Sequence, residues 1–136
     1  MKFIILNEDR AQVYKLDLPH VNISVSSPST SSIQLSPSSF RRDVLFLQFH
    51  DIDGPIKNLD AIAFSKKQAQ QIIYFFRHWR HTVDTFVINC EAGISRSAAI
   101  GAALCRLSGE DDSSFFKQYL PNSYVYRTIL EESEKM

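Results

Sequence analysis

A chain of 136 residues with 44% hydrophobic and 22% charged content lies within the range of ordinary soluble globular domains. Folding at this size buries roughly two-thirds of the surface, enough for a core without disulfides or a structural metal. Fifteen basic residues balance fifteen acidic ones, which removes the sequence-wide electrostatic argument for nucleic acid or an anionic membrane as main partner.

One domain spanning 1–136 is expected. The two cysteines, Cys90 and Cys105, form no Cys-x-x-Cys pair or Cys/His cluster. Neither a secreted disulfide framework nor a zinc site is indicated, and a reducing, cytoplasmic home is expected.

In chain order, Lys2 to Leu6 reads as a short buried strand. It is too short for a signal peptide, and no later run reaches the length of a transmembrane helix. Asn7 opens a polar stretch suited to a helix N-terminus. His20 to Val25 alternates polar and apolar residues with the period of a strand. Ser26 to Ser39 is dominated by serine with Pro28 and Pro37, and predicts a surface connector that offers little to a core. Arg41 and Arg42 after it read as solvated, with an anionic ligand as the alternative.

Asp43 to Phe49 is the strongest strand signal, apolar on both faces, and is expected at the centre of a sheet. It runs into His50-Asp51-Ile52-Asp53-Gly54-Pro55, carboxylates among turn formers at the C-terminal end of a strand, where open α/β sheets usually bind ligands.

Ser65-Lys66-Lys67-Gln68 has the form of a capping box. Behind it Ala69, Ile72, Ile73, Phe76 and Trp79 recur at helical spacing, predicting a helix from about Lys66 to Arg80. His78 and His81 near its end have no carboxylate or cysteine at ligand spacing and read as helix-end residues rather than metal ligands. Thr85 to Asn89 predicts a buried strand and Ser97 to Leu107 a buried helix. Ser113 to Tyr119 and Tyr124 to Glu134 supply two more helices around a break at Pro121-Asn122. Strands alternate with helices throughout, so the predicted class is α/β, with a mostly parallel central sheet flanked by helices.

The segment Cys90-Glu91-Ala92-Gly93-Ile94-Ser95-Arg96-Ser97 places a cysteine at the end of a buried strand and an arginine at the start of a buried helix. This is an anion-binding design. Unpaired N–H groups at a helix N-terminus carry the positive end of the macrodipole. Gly93 can adopt the positive φ that lets successive N–H groups of Glu91, Ala92, Ile94 and Ser95 converge on one phosphate. Arg96 can donate two parallel hydrogen bonds to phosphate oxygens. The same surroundings favour the thiolate of Cys90, set for in-line attack on phosphorus, and Ser97 can donate to the sulfur when it leaves again. Cys105, inside the following helix, reads as a core residue.

These residues resemble the Cys-x5-Arg-Ser signature of protein tyrosine phosphatases, most closely the small dual-specificity branch and its compact bacterial and viral relatives. The resemblance extends over roughly 43–130, through the strand ending in an aspartate, the intervening helix and Leu120-Pro121-Asn122 before the last helix. It implies a phosphocysteine intermediate, no cofactor or metal, and a phosphorylated protein or peptide substrate. Asn89 stands where that family usually has histidine. The family's general acid is an aspartate on a mobile loop upstream of the cysteine. Alignment of strand ends favours Asp51 over Asp53, with Gly54 as a hinge and His50 as an orienting neighbour.

The loop contains no lysine or arginine beyond Arg96, which favours phosphotyrosine, phosphoserine or phosphothreonine over inositol polyphosphates or RNA 5′-triphosphates. A catalytically weak phosphate-recognition module and a phosphatase of nucleotides or small metabolites are the alternatives. Arsenate reduction or sulfur transfer would favour an assisting cysteine near the loop.

Overall fold

Runs of Ile, Val and Phe at Lys2–Leu6 (β1), His20–Ser26 (β2), Arg41–Gln48 (β3) and Thr85–Asn89 (β4) form strands in the computed structural model, which describes residues 1–54 and 61–136. Such side chains fit a pleated, half-buried surface. The strands pair in the order β1-β4-β2-β3, and every pair is parallel. The helices are Glu8–Val13 (α1), Lys66–Trp79 (α2), Arg96–Leu107 (α3), Ser113–Gln118 (α4) and Ser123–Glu134 (α5). The protein is α/β, and its described sheet is parallel throughout. No helix among the described residues is long and apolar enough to cross a membrane.

Alternation along each strand sorts side chains between two layers. Phe3 and Ile5, Val21, Ile23 and Val25, Leu45 and Leu47, Phe86 and Ile88 face the main core, which α2, α3 and α5 complete through Ile72, Ile73, Phe76, Ile100, Leu104, Val125 and Ile129. Ile4, Leu6 and Val87 face the other way, onto Ala11, Tyr14, Ile33 and Leu35. The connections from β1 to β2 and from β2 to β3 therefore run over one face, and α2 returns from β3 to β4 over the other. Steps in opposite directions over opposite faces share one hand, as parallel crossovers require.

Two expectations for the first half of the chain are corrected. β3 is an edge strand, bonded to β2 alone among the described strands, and not central. Its doubly apolar run sends Leu45 and Leu47 to the core, while Phe46 on the other face is 48% exposed. The serine-rich connector is also more than a surface loop. Ile33 and Leu35 pack into the second layer, and Ser36 is buried with its hydroxyl donating to the Tyr14 carbonyl. This cover buries every residue of β2, including the polar Asn22, Ser24 and Ser26. Buried polar groups need partners. Arg41 Nε donates to Asn22 at 2.8 Å and its Nη1 to the Ser36 carbonyl at 2.8 Å, so Arg41 serves the fold. Arg42 donates to the Ser39 carbonyl.

Register decides where the site forms. Leu6 and Ser24 both pair with Asn89, and Ser26 pairs with Gln48. The strands thus end nearly level, and Asn7, Ser27, Phe49 and Cys90 gather along one edge of the sheet.

Candidate active site

Cys90 sits one residue past β4, where its N–H still donates to the Leu6 carbonyl at 3.4 Å. Residues 91–95 then curl into the head of α3. Their N–H groups donate no hydrogen bond among the described residues, and Ser95 at the N-cap makes no side-chain capping bond. Unpaired amides ahead of a 12-residue helix form a concave donor surface with a positive dipole end behind it. The curl depends on Gly93, whose φ is +67° and whose added Cβ would lie 2.6 Å from the Asn7 nitrogen and 2.7 Å from the Leu6 carbonyl carbon.

Cys90 and Ser97 are both buried, with Sγ and Oγ 3.1 Å apart. The Arg96 guanidinium is buried and held from one end. Its Nη1 donates to the Phe49 carbonyl at 2.8 Å and to Ser27 Oγ at 3.1 Å. Its Nη2 lies 3.8 Å from Glu91 Oε2, a carboxylate that stands largely in solvent. The fork is thereby oriented before any ligand arrives, which lowers the entropy lost on binding one.

Asp51 lies against the loop. Its Oδ1 accepts from Ser95 Oγ at 2.7 Å and from Asn122 Nδ2 at 2.8 Å. Asp53 lies further along, 3.4 Å from Ser123 Oγ. Both line a cleft of about 270 Å3 with Ile52, Ser95 and residues 120–123, whereas Cys90 lies below the loop and outside that lining. His50 clasps the base of this segment, its N–H donating to the Ile62 carbonyl at 2.7 Å and its Nδ1 accepting from the Ile62 N–H at 2.8 Å. Gly54 has φ +126° and backs onto the Tyr124 ring. Pro55, the end of the predicted turn, lies outside the described residues.

Ser27 and Asn122 acquire contacts that their sequence positions did not reveal. Ser27 belongs to the serine-rich connector, and nothing local distinguishes it from its neighbours. Asn122 caps α5 through Oδ1 on the Val125 N–H at 3.0 Å, while its Nδ2 reaches both Asp51 and the Ile52 carbonyl and its N–H donates to the Ser95 carbonyl. Asparagine before a helix signals the cap, though not these other bonds. Asn89 is fully buried, and its Oδ1 has no hydrogen-bond partner among the described residues. Nothing in the structure accounts for that orphan acceptor. Cys105 packs with Ala102 and Phe115, and burial, reinforced by the carboxylates of Glu110, Asp112 and Asp111, pushes its thiol above the ordinary value.

No protein-family model and no curated protein matches this sequence. Solved structures match it in shape. Human tyrosine phosphatase-like serine/threonine/tyrosine-interacting protein superposes with a TM-score of 0.65 at 16% identity, over 98% of this chain and 91% of that one. Human DUSP28 gives 0.61 at 13% identity, over 98% and 92%. The chain has the dual-specificity phosphatase fold. PTPMT1, crystallised with PI(5)P, shares it as well, with a TM-score of 0.59 and 14% identity over 98% of this chain and 91% of that one. Coverage of nearly the whole chain includes the N-terminal third, which the sequence motifs matched only loosely.

Proposed function

We propose that the chain is a cysteine-dependent phosphomonoester hydrolase of the tyrosine or dual-specificity type, acting on phosphorylated protein. The observation that carries this reading is the Cys90–Ser97 contact beneath a loop of unpaired amides, with Arg96 pinned beside it. The substrate phosphate sits on the amides of residues 91–95 and on the free edge of Arg96. The Cys90 thiolate attacks phosphorus, the bond to the leaving oxygen breaks, and Asp51 protonates that oxygen. Both donors to Asp51 act on Oδ1, which leaves Oδ2 as the oxygen to carry the proton. Asp51, now a carboxylate, then takes a proton from water attacking the phosphocysteine. Ser97 donates to the departing sulfur.

A phosphate-recognition module needs the amides and Arg96 but has no use for Cys90 or Ser97. The fold alone does not separate the two, since one protein sharing it is named phosphatase-like. The contact between sulfur and hydroxyl favours turnover.

The test is hydrolysis of p-nitrophenyl phosphate and phenyl phosphate. Cys90→Ser is expected to lose at least about 10³-fold in kcat/KM. Asp51→Asn should lose about 10²–10⁴ on phenyl phosphate and much less on p-nitrophenyl phosphate, whose leaving group needs a proton least. Asp53→Asn should stay near wild type on both. Wild type no faster than Cys90→Ser, with phosphopeptide binding retained, would assign the recognition role instead. A reversed ranking of the aspartates would move the acid to Asp53.

A further inference from the structure

Arg96 is anchored asymmetrically. Nη1 is spent on Phe49 and Ser27 inside the fold, and the Nη2 edge, the one left for a ligand, faces the carboxylate of Glu91 at 3.8 Å. Glu91 is the first loop residue after Cys90, and its carbonyl accepts from the Glu8 N–H at 3.2 Å, which fixes its backbone at the rim. Its side chain can swing in solvent but cannot leave the mouth of the site. The negative charge of Glu91 therefore has two effects. In the empty protein it occupies the position an anion would take on Arg96. In the complex it stands within a few ångströms of the bound phosphate and of whatever lies beside that phosphate.

The loop also presents apolar surface. Ile94 is 45% exposed and Leu120 76% exposed, and the Leu120 N–H donates to the Ile94 carbonyl at 3.1 Å, holding the two side by side. Leu120 also walls the cleft that contains Asp53.

We infer that Glu91 is a specificity-determining residue, which together with Ile94 and Leu120 selects phosphotyrosine in a lysine- or arginine-flanked peptide and rejects phosphates crowded by further negative charge. This inference rests on the phosphatase reading above and deepens it. The aryl ring of phosphotyrosine has the apolar body that Ile94 and Leu120 can cover. A flanking cation gains from Glu91, whereas a second phosphate or a run of acidic residues is repelled. One charge pair at 4–7 Å in a solvated rim changes affinity by about three- to tenfold, less at high salt.

The experiment uses two phosphotyrosine peptides of equal length, one with three lysines beside the phosphotyrosine and one with three glutamates. Wild type is expected to favour the lysine peptide in kcat/KM by about three- to tenfold at low salt, with the ratio shrinking towards one at 0.5 M salt. Glu91→Gln should lower that ratio at least about threefold, and Glu91→Lys should invert it. Leu120→Ser should raise KM for both peptides while leaving their ratio as in wild type. The same two peptides titrated into Cys90→Ser protein give a Kd ratio that needs no turnover. Loss of Cys90-dependent hydrolysis with that Kd ratio intact would overturn the phosphatase reading and keep the selectivity. Hydrolysis with a ratio near one in wild type, or a ratio unchanged in Glu91→Gln, would overturn the selectivity and keep the phosphatase.

Discussion

Gly93 occupies a position from which every side chain is excluded, because the atoms that a Cβ would strike belong to the backbone of the β1 end and cannot rotate away. A left-handed residue other than glycine adds about 1–2 kcal/mol, and overpacking about 1–3 more. Gly93→Ala is therefore expected to lower Tm by roughly 10 °C, and to abolish protection by inorganic phosphate in the same calorimetric scan. A variant as stable as wild type would mean that the loop can open without its glycine. The requirement was legible in sequence because glycine is the residue that most readily takes the positive φ a tight anion-binding curl uses. The position of Ser27 on Arg96 was not, because one serine among many carries no local mark. Asn89 departs from a family pattern in the sequence itself, but its buried oxygen, unpartnered among the described residues, depends on the strands on either side.

Among elements, α2 and α5 present opposite cases. The Ser65–Gln68 capping box and the apolar stripe of α2 form as their spacing predicts, because both involve residues within a turn or two of each other. The start of α5 is just as local in its cap, yet Asn122 also ties the Asp51 segment and the Ser95 carbonyl to the helix. Asn122→Ala should destabilise by about 1–3 kcal/mol through lost cap and orphaned acceptors. Asn122→Ser restores a capping oxygen without the amide donor. It is expected to regain part of the stability in urea denaturation while remaining slow on phenyl phosphate. Recovery of both would make Asn122 a cap and nothing more. The apolar run of β3 suggests two buried faces. An edge strand beside a tightly covered β2 needs only one, and leaves Phe46 partly in solvent.

For the whole molecule, α5 is locked to α2 by the Glu132 carboxylate, which accepts from Gln70 Nε2 at 3.0 Å and from Lys135 Nζ at 3.1 Å. The Gln70 bond first, and then Lys135, hold this carboxyl below its ordinary value of 4.5. Asp111 is lowered in the same direction by the Ser113 N–H and hydroxyl. A depressed folded-state value means that these bonds contribute fully above the unfolded value and are lost as pH falls through the lower folded one. Stability should therefore decline on acidification below about 4.5, and Glu132→Gln should be less stable at pH 7 with a flatter acid limb in urea midpoints. An unchanged acid limb would remove Glu132 from that dependence.

The sequence by itself determined the α/β class, most element boundaries and the shape of the Cys90 to Arg96 loop, since each rests on φ/ψ preferences and on side chains a few residues apart. Strand order, the burial of the polar face of β2, and the contacts of Ser27 with Arg96 and Asn122 with Asp51 were decided only by tertiary structure. Those last two join residues 69 and 71 positions apart. No local propensity specifies such a distance. It follows from parallel pairing that ends β1, β2, β3 and β4 nearly level, and so draws the segments after them to one edge of the sheet.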